Sequence, residues 1–286
     1  MKLVTIEHEG REQVAFWTER GVIPMTWLND QAGTDWNTEL FALLQHNQFT
    51  ELRDWYDNQG QEKLSSLPYL PANEATYRAL YRRPGKIIGV GLNYREKAIE
   101  LAGRAAEEEP VIFIKPDSTL IGPGESIRLP GKVGQVTAEA ELALVIGQTC
   151  KNIQEEQAMS VVAGFTTSLD LTAKDIHARN PRFMQRAKSF DTFLSLGSSI
   201  STPDEYSNLE ALEIKTLHNG LVAHSNTVSS MIFSPAYLIA FLSDVMTLHA
   251  GDIILTGTPG SVPIQPGDTT DCEIAGLMQL NNVVEG

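Results

Sequence analysis

The sequence predicts an α+β protein that is mainly β, with a small α+β domain ahead of a larger, strand-rich one. Three observations carry this expectation. The stretch T-A-E-A-E-L-A-L-V-I-G (137–147) alternates with a period of two, which is the pattern of a strand with one buried face. Glycine and proline punctuate the chain at short intervals, as in I-G-P-G-E-S-I-R-L-P (121–130), marking turns between short strands. All four tryptophans (Trp17, Trp27, Trp36 and Trp55) fall within the first 80 residues, so that part differs in composition from the rest. The expected domains are 1–80 and 81–286.

A chain of 286 residues can bury a large core and has room for two domains. Its net charge of −14 and pI near 4.8 argue against nucleic acid, which needs a basic footprint, and against an anionic membrane surface. An anionic substrate would need a metal or local lysines. Two cysteines, Cys150 and Cys272, cannot define a disulfide framework and fit a reducing cytosol. The start M-K-L-V-T-I-E-H-E-G-R lacks the apolar core of a signal peptide, and no run of 18 apolar residues exists. The expectation is a soluble, cytoplasmic protein.

In chain order, residues 1–14 and 23–27 read as short strands. Helices follow, one starting near Asn37 and Thr38 with Leu40, Leu43 and Leu44 as its stripe, the next near Thr50 with Leu52 and Trp55. L-P-Y-L-P (67–71) is an extended connector, because proline breaks a helix and restricts the residue before it. G-K-I-I-G-V-G-L-N-Y-R (85–95) is a buried strand running into a glycine-punctuated loop; it lacks the third glycine and the context of a dinucleotide site. R-E-K-A-I-E-L-A-G-R (95–104) has a helical pattern with Lys97 and Glu100 on one face, and 107–109 is a solvated loop. V-I-F-I-K (111–115) is a further strand.

In 137–147 the alternation puts Glu139 and Glu141 on one face, with Cα atoms roughly 6.5–7 Å apart. At about 5 Å two such charges repel by roughly 3 kcal/mol at an effective dielectric near 20. A divalent cation, a shared proton or open solvent at an edge strand would each relieve that. Residues 153–162 read as amphipathic helix and V-V-A-G-F-T-T-S-L-D (161–170) as a buried strand. Asp170, 29 residues beyond Glu141, ends it, a costly place for an acid unless it is paired or ligated. Lys188 in A-K-S-F-D-T-F lies in a strand-like stretch, where a lysine commonly partners a structural acid. Ser234-Pro235 opens an apolar helix to about Val245, with proline at its first position. G-D-I-I-L-T-G-T-P-G (251–260) is a buried strand ending in Thr256, Gly257 and Thr258, whose backbone N–H groups and hydroxyls could meet an anion.

With these pieces in order, the chain resembles the fumarylacetoacetate hydrolase family over about residues 85–286. The matching stretches include G-V-G-L-N-Y-R (89–95), F-I-K-P (113–116), G-P-G-E-S-I (122–127), A-E-A-E-L-A-L-V-I-G (138–147), S-L-D-L-T-A-K-D (168–175), K-S-F-D-T-F (188–193) and G-D-I-I-L-T-G-T-P (251–259). The resemblance implies a mixed β-roll catalytic domain, a homodimer, and Mg²⁺ or Mn²⁺ (Ca²⁺ is a further candidate) on three carboxylates, here Glu139, Glu141 and Asp170. Three hard oxygen ligands suit such ions and not zinc. It further implies a small-molecule carboxylate substrate, a 2-oxo or β-diketo acid, undergoing C–C hydrolysis, decarboxylation or isomerisation through a metal-stabilised enolate. Lys188 would add positive charge at the developing oxyanion. Lys115, Thr258 and Thr192 match substrate-holding positions, and Glu100 matches one half of a catalytic pair.

Three departures stand out. Lys97 replaces the family's usual histidine three residues before Glu100. A lysine must be desolvated before it can act as a base. Lys174 replaces an arginine and His177 a glutamine, both at substrate-reading positions, and the loop after T-G-T-P reads G-S-V-P. Three readings follow: a hydrolase or decarboxylase of 2-oxo acids, an isomerase or keto–enol tautomerase of the same fold, and a non-catalytic binder of metal and carboxylate.

Overall fold

The computed structural model describes residues 1–96, 99 and 108–286. The fold is mixed α and β and mainly strand, as expected. Its centre is the strand Val136–Ile146, paired antiparallel along its whole length with Val162–Ala173, with Glu139 opposite Asp170 and Glu141 opposite Ser168. Residues Ala138, Ala140, Leu142, Leu144 and Ile146 are fully buried, as the alternation requires. The other face is covered too: Ala143 and Val145 pack in a second core with Leu40, Leu43 and Leu52. The strand is therefore central and not an edge, and open solvent does not relieve its two glutamates.

On one side of this pair the sheet continues through Ile253–Leu255, Ile87–Gly91 and Val111–Lys115. On the other side it runs through Ser199–Ser201 to an N-terminal meander of Lys2–His8, Arg11–Thr18 and Gly21–Pro24, joined by pairing of Lys2 with Ser201. A second sheet, Leu221–Thr227, Glu213–His218, Thr269–Ile274, Leu280–Glu285 and Ile127–Arg128, completes the strand framework among the described residues. Ile214, Cys272, Ile274 and Leu280 of this second sheet share a core with the Ala138 to Ile146 face of the central strand.

Among the helices, Leu40–Gln45 buries Leu40, Leu43 and Leu44, and Gln48–Trp55 buries Leu52 and Trp55. Pro235–Val245 is capped by Ser234, whose hydroxyl accepts the Tyr237 N–H at 3.0 Å. Three local expectations change. Residues 23–27 do not form one strand: a helix, Met25–Ala32, starts after Pro24, because Met25 and Leu28, one turn apart, both reach the core. The amphipathic stretch 153–162 is a 3-10 turn, Glu155–Val161, and Val162 already belongs to the long strand. Lys188 ends a short helix, Met184–Lys188, and does not lie in a strand.

Candidate metal centre

The pairing of the two central strands places Glu139 directly across from Asp170, and Glu141 follows on the same face. One carboxylate oxygen from each of the three lies within 4.8 Å of the others. Asp170 is fully buried and Glu141 is 2% exposed. Two ammonium groups enter the cluster. Lys115, at the end of Val111–Lys115, donates to Asp170 Oδ1 at 2.7 Å and to the Lys188 carbonyl at 2.5 Å. Lys188 donates to Asp170 Oδ2, to Glu139 Oε2 at 3.1 Å and to the Thr172 hydroxyl at 2.8 Å. Thr172 in turn donates to Glu139 Oε2 at 3.3 Å. The Lys188 Nζ lies 4.6 Å from the centroid of the Phe113 ring, a cation–π contact.

Burial works against every charge here, and the partners decide which survive. Desolvation would raise the Asp170 carboxyl, but Lys115 and Lys188 outweigh it and hold it below the usual carboxylate range. Lys188 is desolvated too, yet Asp170, Glu139 and Glu141 keep it protonated, above the usual lysine value. Lys115 is drawn down by desolvation, an effect that Asp170 offsets in part. Glu141 feels the Lys188 charge too, but neither ammonium contacts it directly among the described residues. Burial and then the Asp170 charge push its pKa well up, outweighing the Lys188 charge and the Gly257 N–H that its Oε2 accepts at 2.7 Å. Three carboxylates face two ammonium groups, and the acid left without an ammonium contact among the described residues is Glu141. Hard oxygen donors with surplus negative charge fit a hard divalent cation.

His177, on the helix Lys174–Arg179, is half-buried, and its Nε2 has no hydrogen-bond partner among the described residues. Burial and then the Lys188 charge lower its pKa, so it is neutral near pH 7. Lys174 opens that helix and is exposed. The Thr258 hydroxyl donates to the Gly260 carbonyl at 2.9 Å, and the Thr192 hydroxyl accepts the Arg128 N–H at 2.9 Å. Thr192 has φ +69°, a left-handed conformation rare for a β-branched residue. Lys97 and Glu100 lie outside the described residues.

Sequence reasoning missed three participants, Thr172, Phe113 and Tyr94, and found a fourth, Gly257, without its partner. Thr172 could have been found, since it is two residues beyond Asp170 on the same face of the strand. Gly257 was read as part of an anion-binding segment, and the anion is the protein's own Glu141. Its φ of +95° and the 2.8 Å that a Cβ would leave to the Asn93 Cβ both require glycine. Phe113 and Tyr94 carried no local signal. Tyr94 is fully buried, its hydroxyl has no hydrogen-bond partner among the described residues, and burial followed by the Glu141 charge holds its phenol protonated. A cleft of about 780 Å³ lies elsewhere, beside the N-terminal meander, lined by His8, Glu12, Thr38 and Arg83 among others, and by none of the clustered acids and lysines.

Residues 86–285 match the fumarylacetoacetate (FAA) hydrolase C-terminal family. The chain is 38% identical over 228 residues to the mitochondrial oxaloacetate tautomerase Fahd2a of Rattus norvegicus, covering 77% of this chain and 72% of that one. Among solved structures it resembles maleylpyruvate hydrolase from Sphingobium sp. SYK-6 in complex with manganese(II) ion and pyruvate, with a TM-score of 0.80 at 26% identity over 100% of this chain and 99% of that one. It also resembles 5-carboxymethyl-2-hydroxymuconate delta-isomerase from Mycobacterium smegmatis, with a TM-score of 0.75 at 29% identity over 100% and 98% of the two chains. The shared sequence profile, the whole-chain likeness and the clustered acids together place this protein in the fumarylacetoacetate hydrolase family.

Proposed function

We propose that the protein is a metal-dependent enzyme that enolises small 2-oxo or β-diketo acids, with keto–enol tautomerisation of an oxaloacetate-like acid as its simplest reaction. The observation that carries this is the convergence of Glu139, Glu141 and Asp170 within 4.8 Å on a buried face that also holds two lysines. These carboxylates would hold Mg²⁺ or Mn²⁺, with Ca²⁺ a weaker candidate, and the ion would act as a Lewis acid toward the substrate's 2-oxo group and carboxylate. The manganese in the related hydrolase structure supports that choice of ion.

Enolisation removes a proton from the carbon beside the carbonyl and leaves negative charge on oxygen. Lys188, fixed by Asp170, Glu139 and Thr172, supplies preorganised positive charge to that oxygen and needs no reorganisation as the charge forms. Lys115 locks the backbone at Lys188 and adds a second positive charge for the substrate carboxylate. Neutral His177 offers its unpartnered Nε2 to the substrate's far end, with Thr192, Thr258 and Lys174 as further proposed substrate contacts. Glu100, three residues beyond Lys97 in the sequence, is the proposed proton carrier.

The similarity to a tautomerase at 38% identity supports the enolisation reading. The whole-chain likeness to a maleylpyruvate hydrolase supports a second one, C–C hydrolysis or decarboxylation through the same enolate. The test is to follow oxaloacetate and acylpyruvates by ultraviolet absorbance and mass with Mg²⁺ or Mn²⁺. Metal-dependent keto–enol exchange without loss of mass is the expected result. Cleavage products would establish the second reading, and no turnover of any 2-oxo acid at high enzyme concentration would sink both. The reading extends to a homodimer in a reducing compartment; the family resemblance and the two free, buried cysteines support these. No helix of the described residues is long and apolar enough to cross a membrane.

A further inference from the structure

Buried polar groups almost always find a partner, so a fully buried hydroxyl without one calls for an explanation. Tyr94 is such a group. It is the largest of the fully buried side chains, its relative exposure is 0%, and its hydroxyl bonds to nothing among the described residues. The segment is rigidly seated. Leu92, just ahead, has φ +58°, a conformation that surrounding structure must impose on a leucine. Asn93 donates to the Thr256 and Phe233 carbonyls at 2.8 and 3.0 Å and accepts the Phe233 N–H at 2.9 Å. Tyr94 itself bridges to Met231.

This anchoring ties Tyr94 to the acidic centre. Thr256 precedes Gly257, whose N–H holds Glu141 Oε2 and whose Cα packs against Asn93. Glu141 is also the one carboxylate of the three with no ammonium partner among the described residues. The Glu141 charge also acts on the Tyr94 phenol, so a donor without an acceptor and an acid without an ammonium contact are neighbours at this end of the site. We infer that Tyr94 is a positioning residue for the cation: its hydroxyl donates a hydrogen bond into the ion's ligand shell on the Glu141 side.

This inference rests on the acidic centre being a cation site, and one experiment separates the two. Wild type, Tyr94→Phe and Glu141→Gln are each stripped of metal, and Mn²⁺ binding is titrated by calorimetry and electron paramagnetic resonance, with thermal unfolding at each step. Phenylalanine keeps the shape and removes only the hydroxyl. Metal-free Tyr94→Phe is expected to melt at or above the wild-type temperature, since it loses an unsatisfied buried group. Its Mn²⁺ dissociation constant is expected to rise about tenfold, the usual scale for loss of a supporting hydrogen bond, and Mn²⁺ should then raise its melting temperature less. An unchanged dissociation constant overturns the inference. So does a metal-free variant that melts lower with the same affinity, because that result makes the hydroxyl structural. If wild type itself takes up no Mn²⁺, the cation reading of the centre fails first.

Discussion

Asp170 and Glu12 are both acids that accept more than one N–H hydrogen bond from basic side chains, in settings that differ almost completely. Asp170 is fully buried and receives two ammonium groups, one on each oxygen. Glu12 lies on the N-terminal meander, about a third exposed, and shares Arg82 with Glu125, so that one guanidinium ties the meander to the loop after Ile121. At the meander the charges stay partly in water, where ion pairs add little and gain mainly from bidentate geometry. At the central strands the charges are desolvated, and removing one leaves the others exposed to the full penalty. The first arrangement fastens two segments. The second carries an imbalance that folding does not need and that the proposed cation site explains.

The comparison can be broken most sharply at Asp170. Asp170→Asn leaves Lys115 and Lys188 buried without their shared anion and is expected to destabilise the metal-free protein by about 3–5 kcal/mol, read by urea denaturation, with Mn²⁺ binding lost in calorimetry. Glu141→Gln should act in the opposite direction. It removes an acid whose charged form burial disfavours while keeping the shape, so the metal-free protein should gain on the order of 1–2 kcal/mol and lose cation binding. A loss of stability there would show that Glu141 is paired in some other way.

At the meander, Arg82→Ala is expected to lower stability by only about 1 kcal/mol, seen as a small drop in melting temperature, with the Mn²⁺ dissociation constant unchanged. A shifted dissociation constant would mean the two regions communicate. The smallest effect concerns pH. Burial would raise the Glu125 carboxyl, but the Arg82 hydrogen bonds and the Gly122 N–H outweigh it and hold it below its ordinary value. Its stabilising contribution is therefore complete above the ordinary carboxylate range and is lost as pH falls through the lowered folded-state pKa. Wild type should lose slightly more melting temperature than Glu125→Gln between about pH 6 and about pH 3.5. Equal slopes for the two proteins would remove Glu125 from the acid response.

What the amino-acid order determined by itself is whatever has a short period. The alternation in 137–147 set the buried face of the central strand and put Glu139 and Glu141 together, because successive side chains on a strand point to opposite sides. The helical stripe of Leu40, Leu43 and Leu44 was legible for the same reason, and Thr256 to Thr258 could be read as an anion-binding end. Which anion that end meets, and that Asp170 lies opposite Glu139, required the register of strands far apart in sequence, which only the packed sheet fixes. The arrival of Lys115 from one strand and Lys188 from a helix end, the aromatic face of Phe113, and the silent hydroxyl of Tyr94 likewise have no local signature. They were decided by tertiary structure, because the cost of a buried charge depends on every group that surrounds it and not on its neighbours in the chain.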